Sequence, residues 1–412
     1  MSLKVRSILV LVIGTVLGLT VSISSSMLAR HETRTAGAAH TIEDESLALL
    51  TEAMQRVRRE YVDYVDDETL VANAIRGMLD GLDQHSRYLD SEQYEDIRIA
   101  TTGNYSGIGL DVDLRDGEVT VLAPLDDAPA AMAGIQAGDV VVSVDDVPVG
   151  NDGLEAAVSR IRGQPGTEVR LGISRGPERD LLNFSLTRAA IHVNTVRSDY
   201  LAGGYGYIRL TGFSDSTLSE LDTAVARLIG DGEEKLKGVV LDLRDNPGGV
   251  LEAAIGVADA FLDDGLIVRG NGRIRQARFS QYAKPGGVLE SMPLAVLINR
   301  GSASGSEIVA GALKDHGRGD LIGQRSYGKG SVQSVVPLGA GSALKLTTAH
   351  YLTPAGTKIN GRGIEPDIVV RNVDPKVQYR GSGGLVAIDE DRQLSFALQS
   401  LGYEAIALSQ AE

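Results

Sequence analysis

The sequence predicts a multidomain α/β protein, and three observations predict it. Residues 43–100 repeat apolar positions at helical spacing. Residues 101–188 hold short runs that alternate apolar and polar side chains. From residue 189 on, wholly apolar runs end in glycine-rich turns and lead into helical patterns. At 412 residues the chain is long enough for two or three domains with their own cores.

The first segment, 1–42, reads as a leader and linker. Lys4 and Arg6 precede an uncharged apolar run from Ile8 to Ile23, followed by Ser24 to Ser26. A basic lead before about 16 apolar residues fits a signal peptide or a retained membrane anchor. Met27 makes cleavage after Ala29 a poor fit, and Ala36 to Ala39 offers a better but more distant site. The expectation is export to the periplasm or cell envelope, with cleavage favoured over anchoring to the cytoplasmic membrane.

In residues 43–100, Met54, Val57, Tyr61 and Val62, then Leu70, Ala74, Met78 and Leu82, follow amphipathic spacing. His85 reads as structural. Next comes the β-rich stretch 101–188. Tyr105 to Val112 reads YSGIGLDV, Ala133 to Asp145 reads AGIQAGDVVVSVD, and Val119 to Leu122 and Val169 to Ile173 are strand-like. Successive backbone N–H groups of Gly107, Ile108, Gly109 and Leu110 could converge on a carboxylate.

The third region, 189–379, carries the candidate chemistry. Lys237 to Val250 reads KGVVLDLRDNPGGV, a buried strand and a Pro-Gly-Gly turn. Leu294 to Ile298 is a second short apolar strand, and Ile308, Val309, Ala312 and Leu313 then recur at helical spacing. Ser304 therefore falls on a strand-to-helix turn at the positive end of a helix, a good position for a nucleophile and an oxyanion. Ser304 with Glu307 also fits a plain capping box. A base must come from elsewhere. His316 is twelve residues along the helix, about 18 Å away, and Lys314 is roughly 15 Å away. His85 and His192 lie outside the region, and no local pattern marks His350. Lys329 sits between Gly328 and Gly330, after the strand-like run Leu321 to Gly323. Burial of its ammonium would lower its pKa and let it serve as a base.

These residues resemble the carboxyl-terminal processing peptidases, also called tail-specific proteases. That family carries GSASxSE…YGKGxVQ with about 25 residues between serine and lysine, and here Ser304 and Lys329 are 25 apart with Gln333 four further on. The resemblance implies Ser304 as nucleophile, Lys329 as general base and Gln333 as the residue that orients the lysine. It implies an oxyanion hole from the Gly305 N–H paired with Gly248 or Gly249, a choice the sequence leaves open. Gly305 stands where the family often has alanine. Gln84 stands where LDPHS would have proline. The resemblance identifies 101–188 as a PDZ domain whose Gly107, Ile108, Gly109 and Leu110 bind substrate. It implies a helical N-terminal segment, this PDZ-like β-rich domain, and an α/β protease core with a mixed sheet. Residues 380–412, beginning with the RGSGG linker Arg380 to Gly384, end in a helix expected over Asp391 to Leu408.

Composition excludes other classes. The formal charge of −15 argues against nucleic acid and anionic membrane surfaces as partners. With no cysteine, thiol nucleophiles, disulfides and zinc–thiolate sites are ruled out. No P-loop, H-E-x-x-H or EF-hand pattern occurs, so no cofactor and no metal is expected. The expected partners are unfolded or flexible protein C-termini; the resemblance leaves open an adaptor protein and a homo-oligomer. The competing readings are a membrane-tethered PDZ scaffold with an inactive hydrolase core and a hydrolase of small esters or amides.

Overall fold

The computed structural model describes residues 44–125, 127–149, 153–201, 203–230, 235–287, 289–339, 341–371 and 391–403. The apolar leader, the RGSGG linker and the chain beyond 403 lie outside them. No helix among the described residues is long and apolar enough to cross a membrane. The chain divides into two units at Gly77/Met78.

In the first unit, helix α1 spans Asp44–Glu60, with acidic residues in its first turn and arginines in its last, as the helix dipole favours. Tyr61 and Val62, expected on its apolar face, lie past its end and are exposed. Helix α2, Asp67–Asp80, starts behind Asp66, whose carboxylate accepts from Thr69 N–H at 2.8 Å.

Past the end of α2, which crosses into the second unit, the chain departs from the helical expectation. Arg87–Leu89 is a strand, β1, followed by α3 (Ser91–Thr102), capped by Asp90. Strand β2 (Asn104–Gly107) then leads into the small β domain. Its strands are β3 (Leu110–Arg115), β4 (Glu118–Pro124), β5 (Val140–Val144), β6 (Val147–Pro148), β7 (Glu168–Arg175) and β8 (Asp180–Thr187), with the short helix α4 (Pro129–Met132) and α5 (Gly153–Ile161). The sheet order is β3-β4-β5-β7-β8, all antiparallel, which leaves β3 at an edge. Alternating Val119 and Val121, with Val169, Leu171, Ile173, Ala157 and Ile161, fill its core. β9 (Ala189–His192) pairs with β2, so the segments entering and leaving this domain form one ribbon.

The α/β core follows. A six-stranded sheet runs β10 (Val196–Leu201), β11 (Tyr205–Leu210), β12 (Gly238–Asp242), β15 (Leu294–Ile298), β16 (Asp320–Gly323) and β19 (Ile368–Val369). β11 onward is parallel and β10 is antiparallel, so the sheet is mixed. β12 and β15 are buried along their whole length, because both sheet faces are covered. Val239, Leu241, Val296 and Ile298 face α6 (Thr217–Gly230), α7 (Leu251–Phe261) and α8 (Gly305–Asp315). Val240, Ala295 and Leu297 face α9 (Arg392–Ser400) on the other side. A second, antiparallel sheet holds β1, β13 (Leu266–Gly272), β14 (Phe279–Tyr282), β17 (Ser331–Pro337) and β18 (Ala343–Leu352).

Candidate active site

β12 and β15 are parallel neighbours, so the turns at their carboxyl ends lie side by side, where open α/β sheets place their sites. Side chains and backbone stitch the two turns together. Asn299 Nδ2 donates to Asp245 Oδ1 at 2.8 Å and Asn299 Oδ1 accepts from Asp245 N–H at 2.9 Å. Ser302 Oγ donates to the Leu243 carbonyl at 2.8 Å, while Ala303 N–H and Ser306 Oγ both donate to the Asn246 carbonyl at 2.9 Å.

Ser304 is the N-cap of α8, as its spacing predicts, with φ 54° and ψ −110°. That is left-handed backbone in a non-glycine residue, a strained conformation that concentrates at functional sites and at nucleophile elbows. Gly305, the first helical residue, has no intrahelical partner for its N–H. A methyl group there would meet the Phe213 ring at 2.9 Å, so glycine suits this chain where the family often has alanine.

The Pro-Gly-Gly turn packs directly on Ser304. A Cβ at Gly248 (φ 103°) would fall 2.7 Å from Ser304 Cβ and 2.9 Å from Gly305 N. The Gly248 N–H donates to Asn246 Oδ1 at 2.9 Å, and its carbonyl accepts from Phe213 N–H at 3.1 Å. Gly249 (φ 148°) lies against the Phe213 carbonyl, which a Cβ would approach to 2.0 Å.

Glu307 does more than cap. Its side chain is fully buried and accepts four hydrogen bonds. Oε2 takes Ser304 N–H at 2.9 Å and Lys329 N–H at 2.8 Å; Oε1 takes Gly328 N–H at 2.7 Å and Ser326 Oγ–H at 2.5 Å. One carboxylate oxygen thus holds the backbones of both sequence-predicted residues. Burial pushes the Glu307 carboxyl up, against these donors. The two glycines around Lys329 have separate tasks. Gly328 adopts φ 96°, and Gly330 lets the loop approach Asn360, whose N would lie 2.2 Å from a Cβ.

The Lys329 side chain is half-buried. Burial lowers its pKa first and the Arg87 guanidinium lowers it further, with Glu307 opposing. Gln333 lies on β17 at a bulge, and its amide donates to Ser331 Oγ at 2.7 Å. His316 caps α8 at its far end and bonds the Leu266 carbonyl at 2.8 Å, while His192 pairs with Glu220 at 2.8 Å. Arg87 on β1 and Lys345 on β18 also belong to this neighbourhood, and sequence reasoning missed both. They are opposed in register, and Lys345 is also opposed to Val335 of β17.

At the β domain, Gly109 has φ 73°, and a Cβ there would meet Ala128 Cβ at 2.2 Å. The Ile108 and Gly109 carbonyls accept from Ala130 and Leu125 N–H at 2.9 Å. The Ile108 side chain belongs to the domain core, and Leu110 opens the edge strand β3. Gly107 ends β2.

Comparison with known proteins agrees with this layout. The model of Peptidase family S41 matches residues 204–370, that of a PDZ domain residues 106–186, and that of the Activating protease CtpB N-terminal domain residues 9–93. A carboxy-terminal-processing protease of Bartonella bacilliformis is 45% identical over 338 residues, covering 82% of this chain and 77% of its own. The carboxy-terminal processing protease CtpA of Bacillus subtilis is 34% identical over 363 residues, covering 87% and 74%. Among solved structures, the photosystem II D1 C-terminal processing protease superposes with a TM-score of 0.51 at 32% identity, over 86% of this chain and 99% of that one.

Proposed function

Since this chain belongs to the carboxy-terminal processing proteases of peptidase family S41, we propose that it is an exported endopeptidase that takes unstructured protein C-termini and cuts them with Ser304 and Lys329. Ser304 Oγ attacks the peptide carbonyl carbon as Lys329 Nζ takes its proton. The carbonyl oxygen becomes an oxyanion facing Gly305 N–H and a glycine amide of the 248–249 turn. Two such donors each contribute on the order of 3 kcal/mol to the transition state. Gly248 is the neighbour of the Gly305 amide, and its own N–H must leave Asn246 Oδ1 to serve. Collapse breaks the C–N bond, the lysine proton passes to the leaving amine, and water then hydrolyses the acyl-enzyme by the same route. Gln333 steadies the lysine side of the site.

The observation that carries this reading is the shared Glu307 oxygen, which holds Ser304 and Lys329 amides at 2.9 and 2.8 Å. Backbones fixed this closely keep nucleophile and base in one arrangement. The PDZ domain would hold a substrate tail as an added strand on β3, with its carboxylate at the 107–110 amides. An adaptor and a homo-oligomer fit the same scheme.

The test is cleavage of an unfolded protein bearing an apolar tail. Ser304→Ala and Lys329→Ala should each abolish it with the fold intact. Lys329→Arg should fail too, because guanidinium does not deprotonate at working pH. Turnover by Lys329→Ala, together with an inactive His350→Ala, would replace the lysine by a histidine base. Export rests on Lys4, Arg6 and the apolar run to Ile23. N-terminal sequencing of protein from the cell envelope should find the chain starting beyond that run; full-length protein confined to the cytoplasm would refute export.

A further inference from the structure

Arg87 and Lys345 face each other directly across β1 and β18. Directly opposed residues of antiparallel strands project from the same face, so two like charges stand side by side, an arrangement that destabilises a sheet. The same face carries Gln333 and Val335 of β17, opposed to Thr347 and Lys345. Burial and the charges of Lys329 and Arg87 all disfavour the Lys345 ammonium. Among the described residues, neither Arg87 nor Lys345 makes an ion pair. The carboxylates that act on neighbouring His85 and Lys329 are already engaged. Asp83 accepts from His85 N–H, Ser86 N–H, Ser86 Oγ and Thr347 Oγ1, and Glu307 accepts its four donors. His85 adds no negative charge; its ring pKa is lowered by burial and by Lys329. A chain of net charge −15 therefore keeps an exposed arginine and a half-buried lysine, neither in an ion pair, near its candidate base. A fold that carries such a cost at one place usually carries it for function.

We propose that Arg87 and Lys345 form a carboxylate-binding subsite of the active site, holding an anionic group of the bound polypeptide. The proposal rests on the peptidase reading, and it deepens it by naming what the substrate must carry. The anion is an acidic side chain near the cut bond, since the terminal carboxylate is placed at the 107–110 amides. A guanidinium and an ammonium side by side suit it, since both charges strengthen hydrogen bonds to a carboxylate.

The test measures equilibrium binding to the full-length Ser304→Ala protein, so it does not depend on turnover. One unfolded peptide sequence is prepared in two forms, both amidated at the C-terminus so that the 107–110 amides see no free carboxylate: with Gln walked along it, and with Glu at the same positions. The proposal expects the Glu form to bind about tenfold tighter than the Gln form at one position. Arg87→Gln and Lys345→Met should erase that advantage, and Lys345→Arg should keep it. Lys345→Met should also raise the melting temperature, whereas a lysine serving only the fold would lower it. Equal binding of the Glu and Gln forms overturns the proposal, as does a Glu advantage that survives in both neutral variants. Failure of the peptidase reading looks different: the wild-type protein would leave every peptide uncut, whatever the binding pattern.

Discussion

At Lys329, burial and two charged groups set the affinity for one proton. Burial and the Arg87 guanidinium push the ammonium below the ordinary lysine value, and Glu307 pulls the other way. A lysine that acts as base must be neutral, so kcat/KM should rise with pH and level off above this lowered pKa. Below it the lysine is protonated and cannot accept the serine proton. A pH–rate profile that stays flat from acid to alkaline values would contradict a titrating lysine. The strand, glycine-marked turn and helix that place Ser304 were legible because they follow in order, and Ser304 and Lys329 became candidates because their 25-residue spacing matches a known pattern. Glu307 was legible only as a cap. Its wider role depends on a loop 19 to 22 residues later folding back over the helix start, and no local pattern encodes that. Gln333 lies on β17 with its amide donating to Ser331 Oγ. Arg87 and Lys345 were invisible for a related reason: they meet only through the β1–β18 pairing across the chain.

Among the elements, β12 and β15 were the easiest to read. Strands covered on both faces become continuous apolar runs, and the glycine turns after them announce the site. β1 was the hardest, since three residues, Arg87–Leu89, sit inside a stretch with helical spacing and take their form from β18. α9 shows why a predicted helix can matter beyond its own length. Asp391 caps it, accepting from Leu394 N–H at 3.1 Å, and pairs with Arg244 at 2.7 Å. Arg244 in turn binds the fully buried Asp242, at the end of β12 and just before the Pro-Gly-Gly turn. The Arg244 guanidinium and hydrogen bonds hold the Asp242 carboxyl low despite burial. Asp391→Ala removes both the cap and a buried partner, and should cost about 3 kcal/mol. Chemical denaturation would read this as a lower midpoint at unchanged slope; an unchanged midpoint would mean that α9 does not brace the core.

For the whole molecule, the PDZ domain and the α/β core meet through the β2–β9 ribbon, with Asp215 N–H donating to the Thr101 carbonyl at 2.9 Å beside it. The layout of a helical segment, a PDZ domain and an α/β core was legible from motif and apolar period, because each part has its own spacing of apolar residues. In the proposed scheme a tail on β3 and a cut at Ser304 make selection by the terminus and cutting within the chain one process. The free carboxylate matters because charge-assisted hydrogen bonds to backbone N–H are roughly twice as strong as neutral ones. The most direct measurement is kcat/KM for one unfolded substrate of fixed sequence, prepared with a free and with an amidated C-terminus. Tail selection predicts a clear fall, on the order of tenfold, on amidation. Equal kcat/KM for the two forms would contradict it and leave a peptidase that chooses its substrates by something other than their ends.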